Sequence, residues 1–165
     1  MQIRKAQRHD AKVAFEIRNQ AILSQCKGHY DDAMLAAWTA GELPIAFTDA
    51  FSEHGYVAMV NDAVVGVGMI DVNHDAVDSP IVTTGMVDAM FVRPTAFGQG
   101  VGRAMLQQLE AVAIKAGCKK LILDASLNAA DFYRACGFKG DKQSIYHSPR
   151  GLELACIPME KIISN

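Results

Sequence analysis

The stretch Val92-Arg-Pro-Thr-Ala-Phe-Gly-Gln-Gly-Val-Gly-Arg103 decides how this chain folds. An apolar run from Ile81 to Val92 reads as a strand and meets Pro94, which cannot extend a hydrogen-bonded ladder. Gly98, Gly100 and Gly102 then lead into an amphipathic segment. Glycines here let the chain turn tightly and present successive backbone N–H groups at a helix N-terminus. That geometry cradles a phosphate or pyrophosphate without charged side chains. Two commoner glycine motifs fail residue by residue. A P-loop ends in Gly-Lys-Ser/Thr, whereas Gly102 is followed by Arg103-Ala104. The dinucleotide fingerprint needs glycine where Arg103 stands and begins directly after its strand, whereas five residues separate Val92 from Gly98. The competing reading is a loop that is merely flexible.

Working outward, Gly102 to Ala116 has a helical apolar face of Met105, Leu109, Val112, Ala113 and Ala116, stopped by Gly117. Lys120 to Leu123 is a short buried strand, Asn128 to Ala135 a helix ending at Gly137, and two strands, about Lys139–Tyr146 and Leu152–Lys161, close the chain. Upstream, Gly55–Val60 and Ala63–Val72 flank an Asn61-Asp62 hairpin turn, and the glycines of the second strand read as a bend. With Ile81–Val92, after a polar loop from Asn73 to Pro80, they make an antiparallel meander. Ile3–Lys5 is a first strand, followed by helices from His9-Asp10 to about Cys26, from Asp31 to Ala40, and from Pro44 to Glu53. Asp10 is the expected N-cap of the first. The expected fold is α+β (mixed α/β), one domain over residues 1–165.

At 165 residues the chain suits one domain with a proper core, and 50% hydrophobic content excludes intrinsic disorder. No apolar run approaches the ~18 residues of a membrane span, so a cytoplasmic protein without membrane partners is expected. The net charge of −2 hides a split: −1 over residues 1–54, −5 over 55–92 and +4 over 93–165. The basic residues are scattered, which disfavours nucleic acid. Cys26, Cys118, Cys136 and Cys156 are widely spaced and the histidines show no ligand pattern, so no metal and no disulfide framework are expected.

The loop, as Phe97-Gly98-Gln99-Gly100-Val101-Gly102, resembles the Q/R-x-x-G-x-G/A motif of the GNAT superfamily of acetyl-CoA-dependent N-acetyltransferases; Phe97 replaces the usual Gln or Arg. Ser126-Leu-Asn-Ala-Ala-Asp-Phe-Tyr-Arg-Ala-Cys-Gly-Phe138 resembles the family's A-x-x-F-Y-x-x-x-G-F segment, beginning at Ala129. The motifs stand in family order, and the resemblance covers the whole chain. His29-Tyr30 to Trp38 and Cys156–Lys161 resemble small stand-alone bacterial members. The resemblance implies a mostly antiparallel twisted sheet of about six to seven strands flanked by about four helices. It also implies acetyl-CoA as cosubstrate and transfer of the acetyl group to an amine of a small molecule or peptide by direct attack in a ternary complex. Alternatives are another acyl-CoA donor, or a non-catalytic acyl-CoA-binding module acting through partners. A homodimer is left open.

By the same resemblance, backbone around Met90, Phe91 and Val92 would hold the pantetheine where the strand splays from its neighbour. Gly98, Gln99, Gly100, Val101 and Gly102 would hold the phosphates, supported by Arg103, and Asn128 would contact the pantetheine arm. Tyr133 matches the tyrosine that protonates the departing thiolate, and a phenol of pKa ~10 suits a thiol leaving group. Period-two alternation puts Met86, Asp88, Met90 and Val92 on one strand face. Asp88, in an otherwise apolar run, is the candidate base, since burial there would raise its pKa. Asp71 is a second carboxylate for a cationic acceptor. His29, Tyr30, Trp38, Tyr146 and His147 are candidates for the acceptor pocket, each also readable as core or plain surface.

Overall fold

The first half of the chain lays three helices on one face of a sheet, and the second half lays two on the other. The computed structural model describes residues 1–73 and 83–164. The strands are β1 (Gln2–Lys5), β2 (Gly55–Val60), β3 (Ala63–Asp71), β4 (Thr84–Val92), β5 (Lys120–Ser126), β6 (Ser144–His147) and β7 (Glu153–Ile162). The helices are α1 (Ala11–Gln25), α2 (Asp32–Thr39), α3 (Ile45–His54), α4 (Val101–Lys115) and α5 (Ala130–Ala135). Most of the expected Asn73–Pro80 loop, with Asp75 and Asp78, lies outside the described residues. No described helix is long and apolar enough to cross a membrane.

The seven strands form one sheet in the order β1-β2-β3-β4-β5-β7-β6. Every pairing is antiparallel except β4 with β5. The β2–β3 hairpin turns through Asn61 (φ 50°) and Asp62 (φ 64°), the two left-handed residues that a two-residue loop needs to match strand twist. One core lies between the sheet and α4/α5, with Met105, Leu109, Leu121 and Phe138 at its centre. The opposite face carries Ile17, Phe51, Val57 and Val67 beneath α1 and α3, and a smaller cluster of Ile22, Cys26 and Leu35 beneath α2.

The β3 glycines serve close packing, and Gly66 also adjoins an irregularity of the strand, with Ala58 opposite Gly66 but Met59 opposite Val64. A Cβ on Gly66 would sit 2.7 Å from Val101 Cγ1, and one on Gly68 would sit 2.8 Å from Met105 Cγ. Their bare backbone lets α4 lie directly on the strand.

Asp10 also differs from expectation. It stands at the start of α1 but makes no side-chain cap bond to it. Its buried carboxylate instead accepts the Gln7 N–H at 2.7 Å and a two-pronged contact from Arg4 at 2.8 and 3.1 Å, tying β1 to the chain entering α1. The Arg4 hydrogen bond is the main reason its pKa lies below the usual carboxylate value. A depressed folded pKa contributes stability above the unfolded value, lost as pH falls through the folded one. Asp10→Asn is therefore expected to cost about 1–3 kcal/mol at pH 7. In urea titrations the deficit against the parent protein should shrink below about pH 4; a pH-independent deficit would reject the ion-pair account.

Candidate active site

β4 and β5 pair only from Thr84–Met86 to Lys120–Ile122. Beyond that, β4 follows β3 as far as Val92, and β5 follows β7 as far as Ser126. The sheet therefore opens into a wedge whose β4 wall includes Met90, Phe91 and Val92. At its mouth the β3–β4 register jumps, with Met69 opposite Ala89 but Ile70 opposite Val87. Asp88 is the extra residue of this bulge, and a bulge reverses side-chain parity. Val87 before it, and Met90 and Val92 after it, all face the α4 core, while Ala89 and Phe91 face α1. This corrects the expected single face of Met86, Asp88, Met90 and Val92: Met86 lines an open groove with Ile122 and Asp124. Asp88 is exposed, so the burial on which its role as base rested is absent.

Downstream of β4 the chain makes a 3-10 turn, Pro94–Ala96, and passes Gly98 at φ 75°. Gly100, at φ 82°, caps α4 in the left-handed conformation with no side-chain cap bond. The leading N–H groups of Val101, Gly102 and Arg103 thus open the helix unblocked by a side chain, where the helix dipole is positive. A Cβ on Gly98 or Gly100 would meet nothing within 4 Å, so conformation alone requires glycine there, beside open space. Gly102 differs: its Cβ would lie 3.3 Å from the Phe132 ring, which makes it a packing position joining α4 to α5. Phe97 and Arg103 are exposed, and the Gln99 side chain folds back to Thr95 O at 3.4 Å. Arg93 does not turn to this loop. Its guanidinium reaches Val64 O, Gln20 and Glu16, holding the end of β4 to β3 and α1.

On α5, Tyr133 is buried between Phe132 and Phe138, edge-on to both at ring distances of 5.3 and 5.7 Å. Burial, and then the neighbouring Cys136, raise its pKa above that of an ordinary phenol, so the hydroxyl keeps its proton. It has no hydrogen-bond partner among the described residues, yet none of their buried side-chain N or O atoms lacks one. The phenol oxygen is therefore not sealed off completely, in a residue that is 7% exposed as a whole.

The chain between β5 and α5 is fixed from the other side of the sheet. Cys26 Sγ donates to Asn128 Oδ1 at 3.2 Å, and burial pushes the Cys26 thiol up to about 11, keeping it a donor. The Tyr30 hydroxyl donates to Ala155 O at 2.5 Å and accepts the Leu127 N–H at 3.1 Å. Tyr30 is thus a brace packed edge-on to Trp38, not a free group for an acceptor. Asp71 holds the Asn73 N–H at 2.9 Å, as a turn cap at the end of β3. His29 is exposed, and His147 lies 3.9 Å from Glu153 on the outer β6–β7 edge.

Of the acceptor candidates, Tyr146 lies within the fields of Asp88 and Asp124. It is 40% exposed. Partial burial is the main cause of its raised pKa, followed by the negative charges of Asp88 and Asp124, while Arg18 acts in the opposite sense. Arg18 and Arg150 escaped the sequence reading, because nothing local marks them. Among the described residues no three His, Cys, Asp or Glu are placed to share a metal ion.

A sheet split between its fourth and fifth strands, with an uncapped helix N-terminus at the split, defines a nucleotide- or cofactor-binding α+β protein. The chain belongs to the acetyltransferase (GNAT) family, whose model matches residues 22–138. It is 30% identical over 112 residues to the aminoglycoside N(6')-acetyltransferase type 1 of Stenotrophomonas maltophilia, covering 64% of this chain and 71% of that protein. It is 36% identical over 64 residues to glucosamine 6-phosphate N-acetyltransferase 1 of Dictyostelium discoideum, covering 38% of this chain and 41% of that protein. Among solved structures, a GCN5-related N-acetyltransferase from Rhodopseudomonas palustris superposes with a TM-score of 0.82 at 24% identity, over 98% of this chain and 94% of that one. The PaiA N-acetyltransferase of Thermoplasma acidophilum, solved with coenzyme A, does so at 0.73 and 16%, over 98% of each chain. The expected sheet and family are thus in place, with five α-helices among the described residues where about four were expected.

Proposed function

We propose that this protein is an N-acetyltransferase that moves the acetyl group of acetyl-CoA to an amine of a small molecule or peptide. The observation carrying the reading is the β4–β5 wedge leading directly to the uncapped N-terminus of α4. Family membership supports it, as does the coenzyme A held by the Thermoplasma acidophilum neighbour. The residues fit such a molecule. Gly98 and Gly100 leave open space beside backbone donors suited to a pyrophosphate, with Gln99, Val101, Gly102 and Arg103 completing the loop. Met90, Phe91 and Val92 supply strand backbone beside the wedge, and Asn128 stands at its β5 wall.

Acetyl-CoA supplies a thioester carbon that forms a bond to the amine nitrogen as its C–S bond breaks, with one proton leaving nitrogen and one reaching sulfur. Backbone N–H groups of the β4 wall polarise the carbonyl. Tyr133 is the donor of the proton to sulfur: its raised pKa keeps it loaded, and solvent restores the proton afterwards. An amine of pKa ~10.4 arrives as ammonium. Asp88, exposed at the bulge, holds that ammonium, and the nitrogen loses its protons directly to water, one before the attack and one as the N–C bond forms, with Tyr146 on the same side.

The test is thermal unfolding with acetyl-CoA, followed by free-thiol release over a panel of amines. Stabilisation together with thiol release is expected; stabilisation without release on any amine overturns the reading. Asp88→Asn is expected to raise the acceptor KM about 10-fold, the loss of one charge-assisted contact. It should leave the acidic limb of the pH–rate profile in place. A shift of that limb would make Asp88 the base itself.

A further inference from the structure

Arg18, on α1, and Arg150, in the turn between β6 and β7, come together near opposite ends of the chain's course. Both guanidiniums lie over the Phe15 ring, at 5.3 and 5.9 Å from its centroid. Both donate to one acceptor, the Trp38 carbonyl, at 3.2 Å from Arg18 Nη2 and 3.4 Å from Arg150 Nη1. Arg150 Nη1 also reaches the Ala40 carbonyl, and Arg18 Nη1 donates to Asn19 Oδ1 at 2.6 Å. Among the described residues neither has a carboxylate within ion-pair distance. Two like charges on one ring and one carbonyl repel, and the partial burial of Arg18 strengthens the repulsion, although Arg150 is exposed. Burial, and then Arg150, bring the Arg18 pKa down to about 10. The main-chain carbonyls hold the guanidiniums in place without neutralising them. A fold that keeps two such groups adjacent has built half of an anion site, since a planar fork of donors suits a carboxylate or phosphate.

The position matters as much as the charge. Tyr146 lies within the fields of Arg18, Asp88 and Asp124 together. The acceptor side thus carries both signs of charge, the carboxylate at the β4 bulge and the guanidiniums on α1 and the β6–β7 turn. We infer that the acceptor is an amine that also carries an anionic group, a carboxylate or a phosphate, with its ammonium at Asp88 and its anion between Arg18 and Arg150. This rests on the acetyltransferase reading for the chemistry, but the anion site stands on the arginine geometry.

Two measurements separate the inference from that reading. The first is binding alone. Trp38 is the chain's one tryptophan, and its carbonyl joins the two arginines. Its fluorescence is followed while inorganic phosphate, or separately acetate, replaces chloride at constant ionic strength. A saturable change is expected for at least one anion, weakened at least 10-fold in Arg150→Gln, an exposed position whose variant should fold; circular dichroism checks that it has. No saturable change with either anion overturns the inference, whatever the protein does with acetyl-CoA.

The second is acetyl transfer to matched amines differing only in the anion: an amino acid against its amide, and a sugar amine 6-phosphate against the unphosphorylated sugar amine. In at least one pair kcat/KM is expected to favour the anionic member 10-fold or more, and which pair responds distinguishes carboxylate from phosphate. Arg18→Gln and Arg150→Gln should each reduce that preference about 10-fold. A variant that lowers both members of a pair equally, leaving the ratio intact, assigns the arginines a structural role and overturns the inference. Absence of transfer to every amine counts against the acetyltransferase reading, and the fluorescence titration then decides the anion site by itself.

Discussion

Tyr133→Phe is expected to lower kcat about 100-fold while acetyl-CoA affinity stays within about 2-fold, the low end of what a positioned general acid contributes. The substitution removes one oxygen and little else. The ring stays between Phe132 and Phe138, so the aromatic packing that seats α5 is kept. The phenol's raised pKa puts its deprotonation above the working range, so the parent enzyme should show no loss of activity from Tyr133 ionisation up to at least pH 10. Steady-state thiol release and isothermal titration with acetyl-CoA measure the two quantities. Equal turnover in the variant would remove Tyr133 from proton transfer and leave it a core residue.

Gly100→Val should act on the opposite quantity. At φ 82° a β-branched residue is strained by about 1–3 kcal/mol, although space for its side chain is available. The cheapest relief rotates the Gly100–Val101 peptide and re-aims the donors at the head of α4. Acetyl-CoA affinity is expected to fall roughly 30-fold, about 2 kcal/mol. Turnover at saturating acetyl-CoA should change far less, because Tyr133 and the β4 wall are untouched. An unchanged dissociation constant by calorimetry would mean that these amides do not hold the phosphates.

What could be read from the sequence was local in its physics. Asn61-Asp62 announces its hairpin because the turn geometry is set by two residues, and Pro94 with the following glycines announces a strand end and a helix start within a dozen positions. The bulge at Asp88 gave no such signal. It depends on which β3 residue faces Ala89 and which faces Val87, a register decided across the ladder. Reading the strand as unbroken therefore placed Met86 with Met90 and Val92 and buried Asp88. Gly66 and Gly68 were legible as unusual, but their reason lies on α4, more than thirty residues further along. The same limit hid Arg18 and Arg150. Each is an unremarkable surface arginine until the fold brings them to one phenylalanine ring.

The charge split also changes meaning in three dimensions. Asp62 of the acidic stretch sits in a hairpin turn and Asp71 caps another turn, while the charge of Asp88 acts on Tyr146. Asp124, from the basic stretch, joins it there. Arg93, where the basic stretch begins, is spent on β3 and α1. The electrostatics of the acceptor side are thus assembled from residues scattered over the sequence, and segment totals do not predict them.

The short β4–β5 pairing has one more consequence. A sheet ordinarily closes every gap with its own amides, and this one stops after three residue pairs. Among the described residues the strands do not pair beyond that point, and the donors and acceptors of one strand that face the gap recur on alternate residues, about 6.6 Å apart, twice the ~3.3 Å rise. An elongated molecule with amides at matching intervals is therefore measured against a ruler: its length and amide spacing are checked before any side chain takes part, as though the protein were waiting for one more strand.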